Sequence, residues 1–416
     1  MIKKLFLALI LMATFIVSAQ EGTSSPYSFY GLGDVKFKGT HDQRSMGGLG
    51  VAYDSIHLNL LNPASYSKLR ITNFVVGGTS TFSNVSNQDS KESAKRTSLD
   101  YLALGFPIGK FGVAIGLMPY SSVGYNIQNS TSNVDLRTSI FKGQGGVNRV
   151  FTGFGFNLSE TVSFGMDLQY NFGNIDTKTI VFIPNVILGS RELNESSING
   201  FSSNFGLLYS KNLKNTLTFS SSINYTPEAK LNSVNTRNIA TVSYTLTGSE
   251  IINDNNDIDV NDTKLVIPST YKLGAGIGES KKWFVGFEYA YQENSKQGNR
   301  FDDISGTTFE NSNKFVLGGY YIPKYNSFSS YWSKVAYRAG FRHENTGLVL
   351  NSESINDFGI NFGLGFPVAG KLSNINIGFE YGKKGTIKNN LIQENYFSLN
   401  IGLSLNDLWF EKRKYD

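Results

Sequence analysis

The sequence predicts an all-β protein, a 14-stranded antiparallel transmembrane β-barrel with an N-terminal hatch in the lumen. Three observations predict it. The chain opens on an export signal. Segments of strict two-residue alternation recur along its length. The connections between those segments are alternately short and long.

Lys3 and Lys4 make a basic start, Leu5 to Val17 is an apolar run, and Val17-Ser18-Ala19 offers a cleavage site. Residues 1–19 therefore read as a signal peptide, with Gln20 beginning the mature chain. There is no Cys, which excludes acylation as a lipoprotein, disulfides and Cys-ligated metals. No later apolar run reaches the ~20 residues of a membrane helix. Aromatic residues are 13% and charged residues only 17%, below the ~25% of ordinary globular chains. The net charge of +5 is not clustered and argues against nucleic acid as a partner.

Residues 20–69 lack alternation and carry Gly31, Gly33, Gly39, Gly47, Gly48 and Gly50. Glycine lets a backbone approach a wall closely, which suits a segment folded inside a lumen. A lumen needs one. Fourteen strands about 4.8 Å apart, tilted about 40°, give a diameter near ~28 Å, whereas side chains alone fill a barrel of about eight strands.

From residue 70 to 406 the chain reads as the barrel. Val162, Phe164, Met166, Leu168, Tyr170 and Phe172 alternate with Ser163, Gly165, Asp167, Gln169, Asn171 and Gly173. Leu217 to Thr226 and Phe397 to Asn406 repeat the pattern. Each segment is one apolar and one polar ribbon, because successive strand side chains point to opposite faces. Strands are expected near 70–83, 97–107, 111–125, 147–157, 161–173, 198–209, 216–226, 265–277, 283–293, 313–322, 333–344, 356–367, 374–383 and 395–406. The connections after the even strands are mostly short. Those after the odd strands, with 126–146, 174–197 and 227–264 the longest, read as polar outer loops. That asymmetry marks an outer-membrane barrel and places both termini in the periplasm. Residues 407–416 form a tail in which Trp409 and Phe410 stand where assembly signals carry an aromatic residue.

Several stretches resemble a known family. Arg44 to Ser67, RSMGGLGVAYDSIHLNLLNPASYS, is similar to the hatch signature of the FadL/TodX transporters of fatty acids and hydrocarbons. The matching positions are Arg44, Met46, Gly47, Gly48 and Gly50, then Asn62, Pro63 and Ala64, which read as ending a short helix or turn. Leu265 to Gly278 and Val335 to Phe341 resemble two of the family's strands. Ser25 to Asp34 and the closing residues look like a branch common in Bacteroidota. The resemblance implies a 14-stranded barrel with a hatch and passive uptake of a hydrophobic small molecule from outside. It also admits relatives such as the PorV-like subunit of type IX secretion, which serve as protein partners; fold does not fix function.

By parity, Asp167, Glu288, Arg338, Arg342, Glu344 and Glu380 face the lumen. Buried charges must pair, so bridges to the hatch are expected. Arg338 or Arg342 could instead take a ligand carboxylate, which guanidinium geometry suits. Asp257, Asp259 and Asn261 start like a calcium loop, but Asp262 stands where Gly is needed and Pro268 where Glu is needed, so no metal is expected. His41, His57 and His343 fall in no catalytic spacing; neither an enzyme nor a cofactor is expected. Two functions compete. One is uptake of hydrophobic molecules, which requires an apolar pocket and a break in wall pairing. The other is an accessory subunit of a secretion or barrel-assembly complex, binding outer-membrane or periplasmic proteins through long loops or the Lys412-Arg413-Lys414 tail. Either way the partners include outer-membrane lipid and the machinery that inserts barrels.

Overall fold

The structure, a computed structural model, describes residues 22–130, 137–213, 216–245, 247–301, 306–368 and 373–408. The expected signal peptide, Trp409, Phe410 and the basic tail lie outside the described residues.

Fourteen antiparallel strands close on themselves. They are β1 (Thr72–Ser86), β2 (Lys91–Ile108), β3 (Phe111–Ser130), β4 (Thr138–Asn157), β5 (Val162–Phe182), β6 (Gly189–Asn212) and β7 (Leu217–Thr226). The rest are β8 (Thr270–Glu279), β9 (Trp283–Gln292), β10 (Ser312–Tyr321), β11 (Ala336–Leu350), β12 (Glu353–Pro367), β13 (Asn374–Gly385) and β14 (Gln393–Asp407). β14 pairs β1 from Gln393↔Ser86 to Asp407↔Thr72, which shuts the cylinder. In lipid every backbone N–H and C=O must be paired within the protein, and a closed ladder achieves that.

The two ribbons of each strand sort as alternation requires. On β5, Phe164, Leu168, Tyr170 and Phe172 are exposed on the outer wall, while Ser163, Asp167, Gln169 and Asn171 are buried inside. On β14, Phe397, Ile401, Leu403 and Leu405 face out and Ser398, Asn400 and Ser404 face in.

One rim has mostly tight turns between strands. At the other, β3 to β6 run 20 to 24 residues, about twice the 9–11 that cross a bilayer. The segments expected as loops at 126–146 and 174–197 are largely the far halves of these strands. The expected loop 227–264 is likewise mostly strand. Ala229–Tyr244 pairs the far half of β6, Glu250–Ile258 pairs Ala229–Tyr244, and Thr263–Ile267 continues toward β8 through a kink at Pro268-Ser269. Alternation fades where neither face meets lipid, so these polar stretches read as loops although their backbones still pair.

Parts of residues 22–71 pack against the glycines of the strands. Gly112 and Gly155 meet Tyr66 and Ser67, Gly165 meets Pro63, Gly318 and Gly340 meet Met46 and Gly47, and Gly363 meets Ser45. At these wall positions a Cβ would overlap the inner segment's own atoms, so their glycines set how close it sits.

Candidate functional site: an ionic chamber and an open seam

The inner segment is built from local hydrogen bonds rather than long elements. His41–Arg44 is a short helix with a capping box: Thr40 N–H donates to Gln43 Oε1 at 3.1 Å. Gly47 and Gly48 follow at φ 75° and 96°, which reverses the chain beneath the helix. Asn59 Nδ2 donates to the Gly50 and Ala52 carbonyls at 2.8 and 2.9 Å. The sequence reading of Asn62-Pro63-Ala64 as an end needs correcting. Asn62 begins a 3-10 helix, Pro63–Lys68: its side chain accepts from Ala64 N–H at 3.0 Å, and Pro63 takes the first position, where no donor is needed.

Asp167, Glu288, Arg338 and Glu380 are buried, Arg342 and Glu344 are half-buried, and most are spoken for. Arg44 Nε donates to Glu380 Oε2 at 2.7 Å, and its Nη1 to Thr79 Oγ1 at 3.0 Å. Arg342 donates to Glu380 at 2.9 and 3.1 Å and to Asp357 at 2.9 Å. Tyr396 hydroxyl adds a bond to Asp357 at 2.8 Å. Glu344 pairs with Lys314 at 3.0 Å, and Glu288 accepts Gly50 N–H at 2.8 Å. Arg338 Nη1 donates to Asn376 Oδ1 at 2.9 Å, and Asp167 accepts from Asn204 at 3.3 Å. Arg342 is thus engaged by protein carboxylates, which leaves it poorly placed to receive one from a ligand. Asp257 accepts from Asn238 at 2.7 Å on the outer ribbon, and among the described residues no cluster of metal-ligating side chains forms there.

These groups surround a chamber of about 360 Å³ within the lumen. Its lining includes seven carboxylates, among them Asp34, Asp100, Glu288 and Glu380, and eight cations, among them Lys36, Lys38, Arg44 and Arg342. Toward the short-turn rim, Leu58, Leu60, Tyr66 and Leu69 pack solidly against Tyr101, Met118 and Phe151. Toward the long-loop rim, Leu32 packs with Tyr120, Val123, Tyr125, Val147 and Ile175, and Tyr27 packs with Leu348, Leu350, Ile355 and Leu391. The chamber is therefore mixed, with charged groups set beside apolar ones such as Phe37, Leu61 and Val316, between two apolar layers.

Among the described residues, the wall has one long break in pairing. β2 pairs β3 only from Leu102↔Leu117 to Ile108↔Phe111. Beyond it, β2 continues on β1 alone, while β3 departs with β4 through a register shift between Pro119 and Ser121. Part of the inner segment takes the vacated edge: Asp34 and Val35 pair Ser122 and Ser121, and Lys36 N–H donates to the Tyr120 carbonyl at 2.9 Å. Asp34 is held by Lys384 at 2.6 Å, and Val35 is exposed beside it and, like Asp34, lines the chamber.

Sequence reasoning missed Asp100, Arg149 and the role of Asp34. Asp100 sits at a bulge opposite Gly77 and Gly78, which resets the alternation that would have placed it. Arg149 is buried, stacked over Tyr120 at 4.5 Å and bonded to Asn171 at 2.9 Å. Tyr120 and Phe151 lie on the inner face beside it, so an apolar-out, polar-in count hides its position.

The BamG family model matches residues 1–416. The chain belongs to the BamG family. No curated protein matches its sequence. Solved structures do resemble this BamG chain. The toluene transporter TbuX of Ralstonia pickettii superposes with a TM-score of 0.61 at 12% identity, over 89% of this chain and 99% of that one. The toluene transporter TodX of Pseudomonas putida gives 0.60 at 13%, over 89% and 98%. A FadL homologue of Pseudomonas aeruginosa gives 0.58 at 10%, over 89% and 98%. At these identities the likeness establishes the fold alone, a closed antiparallel β-barrel.

Proposed function

We propose that this BamG-family barrel is an accessory subunit of the outer-membrane barrel-assembly machinery, with its short turns toward the periplasm, rather than a channel in its own right. The observation that carries the reading is the ionic tie of the inner segment to the wall, Arg44 and Arg342 sharing Glu380. A hydrophobic solute gains stability by leaving water for apolar surface, and this chamber sets seven carboxylates and eight cations among its apolar groups. The family's name supports the direction of partnership. The upright sheet of β3 to β6 and the ribbon Ala229–Ile258 supplies a large surface for partners beyond the membrane. Purifying the tagged chain from native membranes in mild detergent, followed by mass spectrometry, tests this. Stoichiometric outer-membrane partners are expected, and depletion of the chain should lower the levels of other barrels. A lone monomer whose loss leaves other barrels unchanged refutes it.

A second reading is passive uptake of hydrophobic small molecules, and the β2–β3 seam favours it. There the wall ladder stops, and exposed Leu99 and Val35 border the gap. Uptake of toluene or a long-chain fatty acid into liposomes carrying the protein, above that of empty liposomes, is the result this reading requires.

A further inference from the structure

On the opposite side of the barrel from the seam, the lipid-facing wall is dented. β9 to β13 carry one row across the sheet, Val285↔Gly319↔Ala339↔Phe362↔Phe379, read from their pairing. Gly319 and Ala339 form a low floor between Val285 and Phe362, with Tyr321 and Tyr337 on the short-turn side. The groove they define holds about 690 Å³ and is almost wholly apolar. A dent of this shape in an otherwise aromatic wall fits a flexible hydrocarbon chain.

The groove opens toward the segment joining β10 to β11, residues 322–335, the longest connection on the short-turn rim. This segment is ordered by its own bonds. Lys324 N–H donates to the Ser333 carbonyl at 2.7 Å, Tyr337 hydroxyl to the Trp332 carbonyl at 3.2 Å, and Tyr331 hydroxyl to the Pro367 carbonyl at 3.0 Å. Yet Phe328, Tyr331 and Trp332 are held out in the open. Cations stand over two of its rings: Lys281 Nζ is 5.0 Å from the Tyr325 ring centre, and Lys334 Nζ is 5.9 Å from that of Phe328. Lys324 is exposed beside them. Exposed aromatic rings flanked by lysines, at the level where strands end, are suited to the headgroup layer of a bilayer.

We infer that this face is a binding site for one glycerophospholipid of the leaflet on the short-turn side. One acyl chain lies along Gly319 and Ala339, and the phosphate meets Lys324 and Lys334. The charge complementarity of these lysines with an anionic headgroup, on the segment that joins the groove residues Tyr321 and Tyr337, selects a lipid over a protein segment. The inference rests on the short-turn rim facing the periplasm, where the leaflet is phospholipid. It does not rest on membership of a complex.

The test uses the full-length protein extracted in mild detergent and supplied with phosphatidylglycerol, with retained lipid read by native mass spectrometry. One tightly retained molecule per barrel is expected. Ala339→Leu, which fills the groove from an exposed position, should weaken retention, and the pair Lys324→Gln with Lys334→Gln should weaken it on the order of 25-fold, since each lysine near an anionic headgroup is worth roughly a factor of five. An unchanged guanidinium unfolding midpoint verifies that each variant is folded. Equal retention by wild type and both variants overturns the proposal. So does displacement by an equal concentration of inorganic phosphate, preferential retention of lipopolysaccharide, or loss of a protein partner with lipid retention unchanged.

Discussion

Removing the Glu380 carboxylate should loosen the inner segment more than any other single change in the chamber. Glu380 is only 2% exposed and takes Arg44 on one oxygen and Arg342 on the other. In Glu380→Ala the two guanidinium groups fare differently. Arg342 keeps Asp357 at 2.9 Å, whereas Arg44 is left with Thr79 and with Asp100 at 3.7 Å. Breaking a buried pair by removing one partner costs about 3–5 kcal/mol, and here the loss falls on the residue that ties the helix His41–Arg44 to the wall. Guanidinium unfolding in detergent micelles, followed by tryptophan fluorescence, measures the change. A double-mutant cycle with Arg44→Ala should return a coupling of about 1–3 kcal/mol, because Arg44→Ala already removes the stranded cation. Glu380→Gln keeps the volume and one acceptor and should fall between wild type and Glu380→Ala. Additive single mutants, or a loss below ~1 kcal/mol for Glu380→Ala, would refute the view that this carboxylate locks the segment in place.

Other outcomes follow from the same packing. Gly340→Val places side-chain atoms against Gly47 and Met46 of the inner segment. Overpacking of this kind costs typically 1–3 kcal/mol and should lower the yield of folded barrel, read as loss of protease-resistant protein. At the short-turn mouth His57 and Asp54 pair. Burial works against the imidazolium, but the neighbouring carboxylate raises His57 above its usual value, and the same contact, also against burial, lowers Asp54. The His57 contribution is therefore present below the unfolded value near ~6.5 and lost as pH rises through the raised folded one. Because Asp54 is half exposed, the whole effect stays under ~1 kcal/mol. Unfolding midpoints of wild type and His57→Gln should accordingly differ at pH 6 and converge at high pH; a constant gap across that range contradicts the assignment.

The barrel was legible in the sequence because lipid on one side and a crowded lumen on the other impose a two-residue period. That period alone assigned Asp167, Glu288, Arg338, Arg342, Glu344 and Glu380 to the polar ribbons. The inner segment has no such period. Its path depends on where wall glycines let it approach, and Arg44 finds Glu380 across 336 residues of chain. Motif resemblance marked Arg44 and Gly47 as important but not what they touch. Asp100 was hidden by a bulge, and the seam by the absence of any local sign that β3 leaves β2 at Pro119. The strands beyond the membrane were missed for a related reason: Asn, Ser and Thr on both faces of Ala229–Tyr244 erase the alternation, while backbone pairing persists.

The two functional readings differ in one physical requirement, the mobility of residues 34–36. These residues fill the edge that β3 turns away from β2, and Asp34 is clamped there by Lys384 at 2.6 Å and Lys36 at 3.3 Å. A solute entering from the membrane through the seam meets this strand first and, behind it, the ionic chamber. Passage therefore needs the strand to leave, exchanging two part-buried ion pairs for solvent and exposing the unpaired carbonyl of Tyr120. A complex subunit needs none of that motion. Because the chain has no native Cys, Val35→Cys with Ser121→Cys, opposite each other in the register, gives a clean disulfide lock. If the protein moves hydrophobic solutes, oxidation should abolish uptake and reduction restore it. If it is an accessory barrel, the oxidised form should support other barrels as well as wild type does. Loss of that support on locking, with uptake absent in both states, would show that residues 34–36 move for a partner and would refute a static role.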